Sequence, residues 1–172
     1  MDKIVIRQFL PTEVAAYRYI RARALAENPE AFATSAEEFA KRPDSSVRAR
    51  LEENFSADDR YMLGAFIDDK PVGMMGVIRW KHLKRQHIAD IIAVFVVPEQ
   101  RGNQLGGRLL DRAIELAHTM DGVEQLILGV VTTNKTAIGL YQSRGFEAYG
   151  TEPNALQSQG QYWDELLMVL RL

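Results

Sequence analysis

The sequence predicts a mixed α/β fold, a single-layer central sheet of about seven strands flanked by about four helices. Three observations predict it. The 172 residues suit one domain with one core, spanning 1–172. Strand-like and helix-like apolar periods follow one another as strand, two helices, three strands, helix, strand, helix and two strands. The stretch 88–97 is almost continuously apolar, as expected of a central strand buried on both faces.

Residues 4–7 read as a short first strand. Pro11-Thr12 offers a helix start with Thr12 as the cap, and Val14, Tyr17, Ile20 and Leu25 carry that helix to about Glu27, where Asn28-Pro29 breaks it. Residues 30–54 read as a second helical region, interrupted near Pro43-Asp44. Strands follow at 61–67 and 72–80, joined by a hairpin turn at Asp68-Asp69-Lys70-Pro71. After the strand 88–97 comes a turn, then a helix with Leu105, Leu109, Ala113, Leu116 and Ala117 on one face and Arg108, Arg112 and Glu115 on the other. A strand at 126–131 leads to a short helix opened by Thr133-Asn134, running to Ser143 and closed by Gly145. Strands near 146–149 and 163–170 complete the sheet.

Composition narrows the function. The formal net charge of −2 is not the basic excess of a nucleic-acid binder, and the cluster Lys81-His82-Leu83-Lys84-Arg85 reads as a solvated loop. The absence of cysteine removes disulfides, thiolate zinc sites and a cysteine nucleophile. No metal is expected. The N-terminal run Met1-Asp2-Lys3-Ile4-Val5-Ile6-Arg7 has charges inside it and no long apolar core, so no signal peptide is expected there; no apolar run reaches membrane-spanning length, and a cytoplasmic protein is the expectation.

Two stretches carry chemistry. After the strand 88–97 the chain reads Arg101-Gly102-Asn103-Gln104-Leu105-Gly106-Gly107 and enters a helix. A helix start leaves backbone N–H groups unpaired with partial positive charge, and glycines let a ligand approach them. Such a unit is an anion site. It lacks the Gly-Lys-Ser/Thr of a nucleotide P-loop and the full glycine pattern of a dinucleotide fold. It resembles instead the GNAT (Gcn5-related N-acetyltransferase) superfamily, whose Arg/Gln-x-x-Gly-x-Gly/Ala loop wraps the pyrophosphate of CoA. Arg101 and Gly106 match that pattern, and Gln104 stands where the family has its middle glycine. The second stretch, Asn134-Lys135-Thr136-Ala137-Ile138-Gly139-Leu140-Tyr141-Gln142-Ser143-Arg144-Gly145-Phe146, matches the family's Asn-x-x-Ala-x-x-Leu-Tyr-x-x-x-Gly-Phe throughout. Ala137, Leu140 and Tyr141 share a helix face there, where Tyr141 also reads as a core aromatic.

The resemblance implies transfer of an acetyl group from the cosubstrate acetyl-CoA to an amine by direct attack. It implies that the backbone of Val94, Phe95 and Val96 binds the acetyl carbonyl and the pantetheine arm. Gly102, Asn103, Gln104, Leu105, Gly106 and Gly107, after Arg101, would hold the diphosphate. Asn134 would bind the pantetheine region, and Tyr141 would face the sulfur as general acid. An alkyl amine is only about one part in a thousand neutral at pH 7, which costs about 4 to 5 kcal/mol unless a base removes the proton.

Some members carry that base as a glutamate at the position of Gly129, which this chain lacks; others carry an acid eleven residues before the Arg/Gln of the loop, which is Asp90 here. Asp90 also reads as a strand-start acid paired with Lys84, Arg85 or His87. His87, Glu165 and water remain as other bases. A small-molecule amine is the expected acceptor, with Trp80, Tyr162 and Trp163 hinting at a closed pocket. A protein N-terminus or lysine, and a non-catalytic CoA-binding sensor, are the alternatives. Homodimers are common in the family, and one is compatible with this chain.

Overall fold

The computed structural model describes residues 4–172; Met1, Asp2 and Lys3, on which the signal-peptide reading partly rests, lie outside them. Seven strands form one sheet: β1 (Ile4–Gln8), β2 (Arg60–Ile67), β3 (Lys70–Arg79), β4 (Ile88–Val96), β5 (Gln125–Val131), β6 (Glu147–Ser158) and β7 (Gln161–Arg171). Their order is β1-β2-β3-β4-β5-β7-β6, antiparallel except for β4 beside β5. Five helices cover it: α1 (Val14–Glu27), α2 (Ala36–Ala40), α3 (Asp44–Ser56), α4 (Leu105–Thr119) and α5 (Lys135–Gln142).

Local chemistry accounts for most boundaries and for several departures from expectation. Thr12 does not cap α1; Glu13 takes the N-cap place, and its carboxylate accepts from the Leu10 N–H at 2.8 Å while pairing with Arg7 at 2.7 Å. The second helical region is two helices, because Ser35 and Glu38 form a reciprocal capping box for α2 and Pro43 then starts α3. The β2–β3 turn is Asp68-Asp69 alone, both left-handed with φ 46° and 61°, and Lys70 and Pro71 already belong to β3. Gly145 ends α5 at φ 87°, with the Phe146 N–H reaching back to the Tyr141 carbonyl at 3.1 Å.

The expected short strand near 146–149 extends to Ser158 and pairs with β7 through two register shifts. Its polar, exposed sequence hid it, since this edge hairpin buries little apolar surface.

The helices α1, α2 and α3 pack together on one face, with the rings of Phe9, Tyr17, Phe39 and Phe66 forming edge-to-face pairs beneath them. On the other face α4 buries Leu105, Leu109, Leu110, Ala113 and Ala117, each about 1% exposed or less. Fully burying a leucine stabilises by about 1.5–3 kcal/mol, so α4 is held firmly against the sheet.

Candidate active site

The site is organised by a failure of strand pairing. Parallel β4 and β5 pair at only three positions, Ile88 with Gln125, Ala89 with Leu126 and Asp90 with Ile127. Beyond Asp90 a bulge bends β4: Ala93 is left-handed at φ 55°, and Ala93 with Val94 stands opposite the single Met75 of β3. The strand expected to be buried on both faces therefore has an open stretch, with Ile92 37% exposed and Ala93 and Val94 half-buried. The Val97 N–H donates to the Val72 carbonyl at 2.9 Å. Strand alternation then turns Phe95 toward Met74 of β3, while the N–H groups of Val94 and Val96 face the gap.

The loop after β4 presents main chain. None of the N–H groups of residues 102–107 has an acceptor among the described residues, and the first bond of α4 runs from Arg108 to the Gln104 carbonyl at 3.0 Å. Gly102 and Gln104 are both left-handed, at φ 81° and 60°. Glutamine thus holds the backbone angles of a glycine position, at a cost of about 1–2 kcal/mol that the burial of Leu105 offsets. The side chains of the loop brace it. Arg101 donates to the Val96 carbonyl at 3.0 Å and to Asn28 Oδ1 at 3.2 Å, and Asn103 donates to Gln100 Oε1 at 3.2 Å. Consecutive free N–H groups at a helix head suit a diphosphate.

Gly106 and Gly107 have a second role. A Cβ on Gly106 would lie 3.2 Å from Leu140 Cδ2, and one on Gly107 would collide with the Arg144 guanidinium. Missing side chains thus let α5 lie close to the head of α4, with Leu140, the neighbour of Tyr141, against Gly106. Tyr141 is 4% exposed, packs on Phe146 at 5.8 Å between centroids, and its hydroxyl has no hydrogen-bond partner among the described residues. Burial pushes its phenol above the ordinary value, so it is neutral at physiological pH and can donate a hydrogen bond. Asn134 caps α5, its Oδ1 accepting from the Ala137 N–H at 3.0 Å.

Both candidate carboxylates share the sheet face covered by α1–α3. Asp90 occupies the last paired position before the gap and accepts from Trp80 Nε1 at 2.8 Å, with the Arg85 guanidinium 3.9 Å above the Trp80 ring. Burial raises its pKa against the opposing pull of Trp80 and Arg85. Glu165 lies on β7 opposite Val131, and a Cβ on Gly129 would sit 2.7 Å from Glu165 Oε2. Its carboxylate therefore fills the space above Gly129. Burial, then repulsion from Glu152, raises its pKa. His87 is exposed at the closed end, before β4 begins.

A cavity of about 510 Å³ opens on this face between α1, α2, α3 and the strands, with Ile92 and Ala93 in its wall. Trp80, Tyr162 and Trp163 do not line it; Trp80 is engaged with Asp90, and Tyr162 is 58% exposed. Arg21, Arg42 and Arg50 do line it, with Tyr17 and Asn54. Sequence reasoning missed these arginines. The available signal was position: Arg21 follows Tyr17 by four on the buried stripe of α1, and Arg50 follows Val47 by three on that of α3.

Comparison with known proteins agrees with this geometry. Residues 24–146 match the model of the acetyltransferase (GNAT) family. A relative, the L-methionine sulfoximine/L-methionine sulfone acetyltransferase of Pseudomonas paraeruginosa, is 35% identical over 80 residues, which are 46% of this chain and 46% of that protein. The chain thus spans about half the length of that relative, and 26% of another. A GNAT-family acetyltransferase from Streptococcus pneumoniae superposes with TM-score 0.90 at 24% identity, covering 99% of this chain and 100% of that one. An acetyltransferase of Salmonella typhimurium, solved with its cofactor acetyl-CoA, superposes at TM-score 0.85 and 22% identity over 99% and 94% of the two chains. No helix among the described residues is long and apolar enough to cross a membrane. With its splayed β4–β5 pair, its bare helix head and a family match over more than half its length, the chain belongs to the GNAT acetyltransferase family.

Proposed function

We propose that this protein is an N-acetyltransferase that moves the acetyl group of acetyl-CoA onto a primary amine of a small molecule by direct attack. The observation that carries the reading is the run of unpaired N–H groups at 102–107 leading to the gap between β4 and β5, with Tyr141 beside it. When bound, acetyl-CoA supplies an activated thioester. The residues here do the rest. The amides of 102–107 hold the diphosphate, and the N–H groups facing the gap from Val94 and Val96 orient the arm and polarise the acyl oxygen. Tyr141, protonated at neutral pH as any phenol is, gives its proton to the departing sulfur, whose developing negative charge in the buried site draws it.

The base in this reading is Glu165. Its carboxylate stands in from the neighbouring strand for a side chain that Gly129 lacks, and its raised pKa makes it a better proton acceptor than an exposed glutamate. A second reading assigns the base to Asp90, favoured by its place at the apex of the gap and its own raised pKa. The hydrogen bond from Trp80 occupies one of its oxygens and favours Glu165 instead.

A small-molecule acceptor is supported by the bounded cavity beside the gap and by the named activity of the Pseudomonas relative. The test is release of free thiol from acetyl-CoA in the presence of a panel of amines and peptides. Turnover on small amines that disappears in Tyr141→Phe supports the reading. Calorimetry that detects no heat from millimolar CoA, or CoA binding with no thiol release on any acceptor, rejects it.

A further inference from the structure

We infer that the acceptor amine carries an oxyanion, a carboxylate or phosphonate, and that the arginine-lined cavity under α1, α2 and α3 binds that group with Arg21 as its anchor. This deepens the acetyl-transfer reading and rests on it for the direction in which the amine points.

The charge of the cavity is one-sided. Arg21, Arg42 and Arg50 line it, and no aspartate or glutamate does among the described residues. Neither an ion pair nor a side-chain hydrogen bond engages any of the three guanidinium groups among the described residues, although Arg42 lies within electrostatic range of the exposed Glu38. Other arginines of the same region are paired, Arg18 with Asp44 and Arg23 with Glu27 and Glu99.

Arg21 is the informative one. Its Nη1 is fully buried with no hydrogen-bond partner, as is Asn54 Oδ1 in the same cavity. Its guanidinium lies 4.8 Å from the Phe32 ring centroid, and burial and then nearby Arg42 disfavour its charge. An unpaired buried cation costs free energy, and like charges close together add to the cost. Arg42 and Arg50 are exposed, and burial raises the Tyr17 pKa against the pull of all three cations, so each lies within electrostatic range of that phenol. An oxyanion entering there meets the Arg21 guanidinium and two further positive charges.

The geometry also orients the ligand. Ile92 and Ala93 also line the cavity, at the bulge where β4 parts from β5. A molecule with its anion on Arg21 extends its other end toward that gap, which is where the amine must be. The same field repels polyamines and other acceptors that are cationic throughout.

The test measures acetylation of L-methionine, L-phenylalanine, their methyl esters, 2-aminoethylphosphonate and spermidine, by thiol release. The expected result is a free amino acid or the phosphonate favoured over the esters and spermidine by roughly 10- to 100-fold in kcat/KM. Relative rates of amino acid and phosphonate then say which oxyanion the site takes. Arg21→Gln should erase the preference mainly by raising KM, with kcat changed less, and Arg21→Lys should restore part of it. Esters or spermidine used as well as the anionic amines would overturn the inference.

If no acceptor is turned over, the acetyl-transfer reading fails separately. Calorimetric titration of L-methionine and 2-aminoethylphosphonate into the CoA-loaded protein then decides. Binding that is lost in Arg21→Gln supports the anion site, whereas no binding, or binding unchanged in Arg21→Gln, overturns it.

Discussion

The loop before α4 and the cavity beneath α1–α3 flank the same gap but are built from different atoms. At residues 102–107 the unpaired polar groups are main-chain amides, exposed by two left-handed residues and two glycines. In the cavity they are side chains brought from α1, α3 and the turn before α3, headed by a guanidinium with a buried, unpartnered nitrogen. A backbone site reads a group common to every turnover, whatever side chains surround it. A side-chain site can be rewritten one residue at a time. In the proposed function the first recognises the coenzyme and the second chooses the acceptor.

The largest effects should come from the groups between the two regions. Tyr141→Phe is expected to lower kcat by about 10²–10³-fold while leaving the CoA Kd from calorimetry unchanged. A weakened Kd would instead make Tyr141 part of the binding wall.

Glu165→Gln should cost about 10²-fold in kcat/KM and remove the acid limb of the pH–rate profile. The sign follows from the raised pKa: the base must be ionised, so in the unmodified protein that limb lies above the ordinary glutamate value near about 4.3. The same shift means ionised Glu165 weakens the fold as pH rises through its native pKa. Glu165→Gln should therefore be more stable than the parent at neutral pH, with the gain vanishing in acid. Asp90→Asn retains an acceptor for Trp80 Nε1 and should change kcat by less than about threefold. If the acid limb follows Asp90 rather than Glu165, the base belongs on β4.

Smaller effects distinguish backbone from side-chain recognition. Gln104→Val places a β-branched residue at φ 60° and should weaken CoA binding about tenfold. Arg21→Gln should leave the CoA Kd unaltered, so a shared loss would merge the two regions into one site. The smallest is Gln104→Gly, which relieves the left-handed glutamine and should raise the stability from urea unfolding by about 0.5–1 kcal/mol, net of the entropy glycine loses on folding.

Legibility divides along the same line. The alternation of strands and helices, the amphipathic α4 and the bare helix head were readable because they depend on residues adjacent in the chain, as at Leu105–Leu109–Ala113 and Arg101–Gly107. Tyr141 was readable as a candidate because its motif is local, one short helix with its cap and its glycine end. The long β6 was not, because its exposed polar residues give no alternation to detect. Glu165 was only one of several bases in the sequence, since nothing local shows that its carboxylate covers Gly129 across the β5–β7 pairing.

By itself, then, the order of residues determined most of the elements, the glycine-rich turn before α4 and the place of the tyrosine, all of which follow from backbone geometry and periodicity over a few turns. Only the tertiary structure decided where β4 and β5 part, which carboxylate fills the space above Gly129, and that Arg21, Arg42 and Arg50 meet in one cavity. Those facts depend on distances between segments far apart in the chain, and such distances are set by packing rather than by local preference.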